Sequence, residues 1–176
     1  TSIKFVKNDS KGETHIDDLN LLTNKYWEKS IISDWRVGEM GAKERLTEFI
    51  KNEIADYKEG RNFPVKANVS QLSPYLHWGE ISPNTVWYSA KQKIEFNPHL
   101  EKDIRHFLSE LGWREFSNSL LYHFPELPKT NLQSKFDSFP WTTDESLLRA
   151  WQTGQTGYPI VDAGMRQLWQ TGYMHN

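Results

Sequence analysis

Residues 154–176 read GQTGYPIVDAGMRQLWQTGYMHN and carry the clearest helix boundaries in the chain. Pro159 suits the first position of a helix, because the backbone N–H there has no intrahelical partner and the fixed φ of proline matches the helix. Gly172 stands where a glycine caps a helix C-terminus, and Gly154 ends the helix before it. The stretch therefore predicts two consecutive helices joined by a short loop.

The same boundary signals recur upstream. Ser82-Pro83 and Asn97-Pro98 each place a capping side chain before a proline, and residues 142–145 are interpreted as a capping box that begins at Thr142. Apolar residues recur at helical spacing after these starts and over residues 39–60. No segment alternates apolar and polar residues long enough to form a strand. The sequence therefore predicts an all-α fold whose loops carry the polar chemistry.

Composition limits the function classes. The 176 residues suit one domain, with 37% hydrophobic and 25% charged residues. The lack of cysteine excludes disulfides and cysteine-ligated metals, and the six histidines lack metal-ligand spacing. No apolar run reaches the roughly 20 residues of a membrane helix. The net charge of −2, without a polybasic block, argues against nucleic-acid wrapping by the whole surface but leaves a local basic groove open.

Aromatic residues are unusually frequent, with eight Trp, seven Tyr and nine Phe. Large aromatic side chains fill protein cores, and composition alone favours that interpretation. The alternative is an aromatic-lined pocket for a flat ligand or for stacked bases.

One face of a predicted helix combines an acid, an indole, a base and a hydroxyl: Glu110, Trp113, Arg114 and Ser117. Their spacing places them on one side, apart from the apolar face of the same helix. A surface ion pair between Glu110 and Arg114, worth about 0.3 kcal/mol, is the simpler interpretation. Recognition of a flat, polar, anionic ligand is the alternative.

A second group combines Tyr57, Arg61 and the run VSQLSPYLHWGEIS at residues 69–82. Helix capping by Ser70 and Ser73 is the simpler interpretation of this run. The alternative is an anion site, since backbone N–H groups and hydroxyls meet at a helix start. Trp141, taken alone, is a loop aromatic that packs.

Three segments, in the same order along the chain, resemble the DNA photolyase and cryptochrome family. They are VSQLSPYLHWGEIS at 69–82, ELGWREF at 110–116 and the stretch 154–176. The resemblance covers about residues 35–176. It implies the N-terminal part of the multi-helical FAD-binding domain over residues 36–176, truncated on its C-terminal side. Residues 1–35 would then be a polar lead-in from an antenna domain outside this sequence.

The resemblance implies FAD as the cofactor, with its diphosphate held by Tyr57 and by the hydroxyls of Ser70 and Ser73. Val69 stands where the family usually has Thr, so a backbone N–H replaces one hydroxyl contact, and Trp78 replaces the common Phe. A second antenna chromophore, a pterin or a deazaflavin, is expected only in the family's N-terminal domain. The implied cofactor-binding residues are Tyr57, Val69, Ser70, Gln71, Leu72, Ser73, Phe107 and Arg114.

The resemblance also implies damaged DNA as a partner. Glu110 would hydrogen-bond the pyrimidines of the lesion and Trp113 would stack against them, which makes both catalytic candidates. Trp141, ten residues before Trp151, matches the solvent-side end of a three-tryptophan electron relay whose inner members lie beyond residue 176. The implied DNA-binding residues are Arg61, Glu110, Leu111, Gly112, Trp113, Arg114, Glu115, Phe116, Ser117 and Asn176.

The implied function is light-driven repair of cyclobutane pyrimidine dimers by electron transfer from reduced FAD, most like a class I photolyase. Glu110 together with Trp113 favours repair over signalling. A cryptochrome-type blue-light photoreceptor with the same FAD pocket is the alternative, and a flavin-free helical interaction module is the alternative from another class. We expect a cytoplasmic monomer without a metal or a membrane anchor. The 176 residues alone are expected to be inactive and to bind FAD weakly.

Overall fold

The computed structural model describes residues 16–19 and 26–175. These residues form helices and loops without a β-strand, which confirms the all-α prediction. Single turns of wider or tighter helix lie at Ile16–Leu19, Phe49–Glu53, Pro98–Leu100 and Ser134–Phe136. The α-helices of this part of the chain are α1 (Tyr26–Asp34), α2 (Glu39–Glu48), α3 (Tyr57–Gly60), α4 (Ser73–His77), α5 (Pro83–Phe96), α6 (Glu101–His123), α7 (Glu145–Gln152) and α8 (Pro159–Thr171).

The hydrophobic core lies around α6, which packs against α3 and α5. Its buried members all fall between Ala42 and Leu111. The first half of α6 contributes its apolar face to this core, as the sequence spacing predicts. The core residues with the largest fully buried side chains are Phe49, Ile54, Leu72, Val86 and Ile104.

Two predicted helix boundaries are confirmed. Ser82 caps α5, because its hydroxyl oxygen accepts a hydrogen bond from the backbone N–H of Asn84 at 3.2 Å. Gly172 ends α8 with a φ of 71°, a left-handed conformation that glycine adopts without a clash from Cβ.

The predicted capping box at Thr142 is wrong. Asp144 caps α7 instead, since its carboxylate accepts hydrogen bonds from the backbone N–H groups of Ser146 and Leu147 at 2.8 and 3.1 Å. A carboxylate directly before the helix reaches both orphan donors, which moves the boundary two residues along.

The continuous helix predicted over residues 39–60 is interrupted. A wider turn follows α2, and Asp56 then adopts a left-handed φ of 62°. The carboxylate of Asp103 on α6 accepts hydrogen bonds from the backbone N–H groups of Asp56 and Lys58 at 3.2 and 2.9 Å. A side chain distant in sequence therefore sets the start of α3.

The two ends of the described chain lie together. α8 packs against α1 and α7, and Trp35 Nε1 donates a hydrogen bond to the carbonyl oxygen of Thr171 at 2.7 Å. The lead-in predicted over residues 1–35 includes α1, but residues 1–15 and 20–25 lie outside the described residues, so that boundary stays a prediction. Among the described helices, none is both long and apolar enough to cross a membrane.

Candidate functional site

A cavity of about 1020 Å³ opens between α3, the loop before α4, and α6. Its volume lies at the upper end of the range for small-molecule sites. All eight predicted cofactor-binding residues line this cavity: Tyr57, Val69, Ser70, Gln71, Leu72, Ser73, Phe107 and Arg114. Five of the predicted DNA-binding residues line it as well: Arg61, Glu110, Leu111, Arg114 and Ser117.

Tyr57 forms part of the cavity wall and is only 6% exposed. Its ring packs edge-on against Phe49 and Phe107, with centroids 5.7 and 5.4 Å apart. Burial raises the pKa of the Tyr57 hydroxyl to about 12, although the Arg61 guanidinium nearby acts in the opposite direction. The hydroxyl is therefore protonated at neutral pH and can donate a hydrogen bond to an anionic ligand.

The loop before α4 forms another part of the cavity wall and is strained at one residue. Gln71 adopts a φ of 52°, and the hydroxyl oxygen of Ser70 accepts a hydrogen bond from the backbone N–H of Leu72 at 3.4 Å. Within the described residues, Asp56 and Gln71 are the non-glycine residues with a positive φ, and both adjoin residues that line the cavity. Such strain costs about 1–3 kcal/mol per residue and collects at functional sites.

The capping interpretation of Ser70 and Ser73 is not what the structure shows. α4 begins at Ser73, and within the described part of the chain no side chain caps that helix. Ser70 instead holds the turn through the N–H of Leu72, and both serines line the cavity. A serine hydroxyl can donate a hydrogen bond to a ligand that carries acceptors.

Glu110 and Arg61 form an ion pair at the cavity, and the Arg61 guanidinium also lies 5.5 Å from the centre of the Tyr57 ring. The surface ion pair predicted between Glu110 and Arg114 is wrong, because Arg61 on the neighbouring segment takes the Glu110 carboxylate. Arg114 pairs with Glu115 at 2.6 Å instead and donates a weak hydrogen bond to the Leu76 carbonyl oxygen at 3.5 Å.

The remaining predicted DNA-binding residues of α6 lie outside this cavity. Gly112 and Glu115 line a separate cavity of about 410 Å³ beside Trp87. Trp113 is 62% exposed, and its ring packs edge-on against Phe116 with centroids 5.7 Å apart. The structure therefore brings Glu110 to the cavity and leaves the Trp113 indole on the surface. Asn176 lies outside the described residues.

Trp141 lies in the connection between α6 and α7 and is 68% exposed. Its Nε1 donates a hydrogen bond to the Phe136 carbonyl oxygen at 3.3 Å, and its ring lies 4.7 Å from that of Phe139. An exposed indole suits the solvent end of a relay, and the electron-transfer role stays a prediction.

Sequence reasoning missed several cavity residues. Asn118 directly follows the predicted Ser117, and residues 173–175 belong to the stretch that ends α8. Their closeness in sequence to predicted residues could have identified them as cavity residues. Burial raises the pKa of the Tyr173 hydroxyl. No group of three or more His, Asp or Glu side chains within the described ranges could hold a metal ion. The cavity residues that were not predicted are Leu76, His77, Asn118, Tyr173, Met174 and His175.

Comparison with known proteins shows which family the chain is similar to. Residues 107–176 match the family described as the FAD binding domain of DNA photolyase. A deoxyribodipyrimidine photo-lyase of Agrobacterium fabrum is 49% identical over 157 residues, which are 89% of this chain and 32% of that protein. Cryptochrome-2 of Arabidopsis thaliana is 41% identical over 147 residues, which are 81% of this chain and 24% of that protein.

The fold agrees with these matches. The crystal structure of a bacterial class III photolyase from Agrobacterium tumefaciens superposes with a TM-score of 0.88 and 46% identity. The superposition covers 99% of this chain and 36% of that chain. The chain thus spans about a third of the length of these photolyases.

Proposed function

Since the chain belongs to the photolyase and cryptochrome family and carries part of its FAD-binding domain, we propose that the full-length protein is a deoxyribodipyrimidine photo-lyase. Its substrate would be DNA that contains cyclobutane pyrimidine dimers. One observation carries the proposal: every residue that the family resemblance assigns to the cofactor lines a single large cavity, and the candidate lesion-binding Glu110 lines the same cavity.

The donor set of the cavity fits FAD. One wall offers the hydroxyls of Ser70 and Ser73 and the backbone of Val69, which suit the oxygen acceptors of a diphosphate. Phe107 and Leu111 add apolar surface, which suits flat ring systems. When bound and reduced, FAD would supply the electron that opens the dimer after absorption of light.

The Arg61–Glu110 pair gives the site a way to respond to DNA. A guanidinium binds phosphate strongly, so a backbone phosphate near Arg61 competes with the Glu110 carboxylate. Glu110 would then be released to accept hydrogen bonds from the imide edge of the flipped pyrimidines. Extrusion costs less at a damaged pair, whose stacking is already weakened.

Trp113 would bind the splayed bases from the surface. Its exposed indole offers a π-face, and base stacking on an aromatic side chain is worth about 1–3 kcal/mol. The side chain lies one helical turn from Glu110 on α6, which places the stacking surface and the hydrogen-bond acceptor on the same side of the helix.

A cryptochrome-type photoreceptor is the second candidate function. The observation that favours it is the 41% identity to a plant cryptochrome over most of this chain. Glu110 and Trp113 favour repair. The assignment of the protein to class I of the family stays a prediction, since the superposed Agrobacterium structure is a class III photolyase. The antenna chromophore, the monomeric state and the cytoplasmic location also stay predictions.

Two measurements on the purified full-length protein test the proposal. Flavin absorbance in the blue separates both flavoproteins from a flavin-free helical interaction module. Light-dependent repair of an oligonucleotide with one pyrimidine dimer separates a photolyase from a cryptochrome, with a dark sample and an undamaged oligonucleotide as controls. Bound flavin without repair would favour the cryptochrome, and a colourless folded protein would overturn both flavin functions.

A further inference from the structure

A largely buried ion pair lies behind the loop that precedes α4. Arg45 on α2 pairs through Nη2 with the Glu53 carboxylate, and the two side chains are only 20% and 17% exposed. Neither residue lines the cavity. Burying two charges costs desolvation free energy unless their hydrogen bonds are satisfied. A buried ion pair is therefore weak evidence for stability alone, and the position of this pair indicates another role.

Arg45 also binds the loop directly. Its Nε donates a hydrogen bond to the carbonyl oxygen of Ser70 at 2.9 Å. The guanidinium therefore joins the Glu53 carboxylate on one side to the backbone of a cavity residue on the other. Because the guanidinium is a rigid plane, the position of Glu53 fixes the direction in which Arg45 holds Ser70.

A second anchor holds the loop two residues earlier. The side-chain amide of Asn68 donates hydrogen bonds to the carbonyl oxygens of Glu53 and Ala55 at 2.9 and 2.7 Å. Gly60 leaves room for this contact, since a Cβ at that position would clash with the Asn68 side chain. Both anchors thus tie the loop to the same segment of the chain, at the end of α2 and the turn after it.

The strained residue follows directly after these anchors. Gln71 has a φ of 52°, which a side-chain-bearing residue holds only when its surroundings fix the backbone on both sides. The Arg45 bond fixes the carbonyl of Ser70, which belongs to the peptide unit that enters Gln71. Loss of that bond would let the Ser70–Gln71 peptide rotate, and the cavity wall from Ser70 to Ser73 would lose its geometry.

We propose that Arg45, held by Glu53, is a positioning residue. It keeps the backbone of residues 69–73 in the conformation that binds the diphosphate of a dinucleotide cofactor. The inference rests on the proposed flavin-binding function. It assigns to Arg45 a role at a distance from the ligand, through the backbone of Ser70. A wall held in its bound geometry spares the ligand the entropy of ordering the loop, which favours binding.

The test uses full-length protein and the substitution Arg45→Met, which keeps the length of the side chain. The variant should bind FAD about tenfold more weakly, the equivalent of one lost hydrogen bond to a charged group. The ³¹P resonances of bound FAD should shift, because the loop now surrounds the diphosphate differently. The double variant Arg45→Met with Glu53→Met, which leaves no buried unpaired charge, should show the same two changes.

Arg36→Met is the matched control. Arg36 also pairs with a glutamate eight residues along the chain, Glu44, but both side chains are exposed and neither residue lines the cavity. This variant should keep both the FAD affinity and the ³¹P spectrum of the unsubstituted protein.

Unchanged FAD affinity and unchanged ³¹P resonances in the double variant would overturn the positioning role while leaving the flavin function intact. Failure of the unsubstituted full-length protein to bind FAD would instead overturn the proposed function, and the positioning role with it. Weaker FAD binding with unchanged ³¹P resonances would assign Arg45 to stability alone and would also reject the proposal.

Discussion

The helices between residues 39 and 123 and the α7–α8 pair differ in how much of their large apolar surface is buried. In the first region, the rings of Phe49, Tyr57 and Phe107 pack against one another in the same buried cluster as Ile54 and Ile104. In the second, Met165 is buried but most of the large apolar side chains lie on the surface. Those of α7 and α8 that are exposed are Leu147, Leu148, Trp151, Ile160, Val161, Leu168 and Trp169.

Because of this difference, some walls of the cavity are supported by the buried core and others are not. The walls that contain Tyr57, Ser73 and Glu110 rest on the core around α6, whereas Tyr173 and its neighbours follow α8 outside that core. A ligand that contacts both regions binds only when they are assembled together, so its binding energy also stabilises their contact. We therefore expect cofactor binding and the docking of α7–α8 to be coupled.

The largest expected effect tests the packing contrast in the 176-residue chain. Phe49→Ala should lower the free energy of unfolding by about 3–5 kcal/mol, because the ring is fully buried and its loss leaves a cavity. Trp151→Ala should lower it by only about 0.5 kcal/mol, since that ring is exposed. Urea unfolding measures both values. Equal losses for the two variants would mean that α7–α8 is packed as tightly as the core.

The second prediction compares FAD affinity between variants of the two parts of the cavity. Ser73→Ala in the full-length protein should weaken FAD binding by about 1 kcal/mol, the worth of one hydrogen bond, and by more if the hydroxyl meets the charged diphosphate. Tyr57→Phe should act in the same direction, and Val69→Thr, which restores the family's hydroxyl, should bind FAD equally well or more tightly.

Equilibrium titration with FAD gives these affinities. Tyr173→Phe, which changes a cavity residue outside the core, is the comparison variant and should weaken binding less than Ser73→Ala. Unchanged affinity in both Ser73→Ala and Tyr57→Phe would mean that the diphosphate does not lie against this wall.

The smallest effect concerns pH and the start of α8. The Asp162 carboxylate accepts hydrogen bonds from the backbone N–H groups of Thr156 and Gly157 and from the Thr156 hydroxyl. The Thr156 hydroxyl bond is the largest cause that holds the pKa of Asp162 below its ordinary value of 3.8. A lowered carboxyl pKa contributes stability above that ordinary value, and the contribution is lost as the pH falls through the folded-state pKa.

Thermal melts of the chain between neutral and acid pH check this expectation. Asp162→Asn should reduce the acid dependence of the melting temperature while leaving the Phe49 cluster intact. An acid dependence identical in the variant and the unsubstituted chain would contradict it.

The sequence predicts those features of the fold that depend on local chemistry. Ser82 before Pro83 and Gly172 after α8 set their helix ends with groups adjacent in the chain, and both predictions are confirmed. Asp103 breaks the helix predicted over residues 39–60 from a distant position, which no local pattern reveals.

The candidate site also has features that the sequence predicts and features that depend on tertiary packing. Family motifs predict the cofactor-binding residues as a group, and in the structure the predicted residues line one cavity. Sequence spacing paired Glu110 with Arg114 because they lie one turn apart, whereas the folded chain brings Arg61 to Glu110 from the turn after α3. Pairing across the cavity, and the Arg45 contact behind it, depend on tertiary packing and could not be predicted from spacing.

The repair yield per absorbed photon, measured by single flashes on the full-length protein with dimer-containing DNA, tests the central claim most directly. The account predicts repair by the unsubstituted protein and a lower yield in Glu110→Ala, with a loss of yield larger than the loss of lesion affinity. Trp113→Ala, as the companion variant, should lose about tenfold or more in lesion affinity and keep its flavin spectrum. A flavin-loaded protein that repairs no dimer, or variants with unchanged yield and unchanged affinity, would contradict the assignment of this cavity to dimer repair.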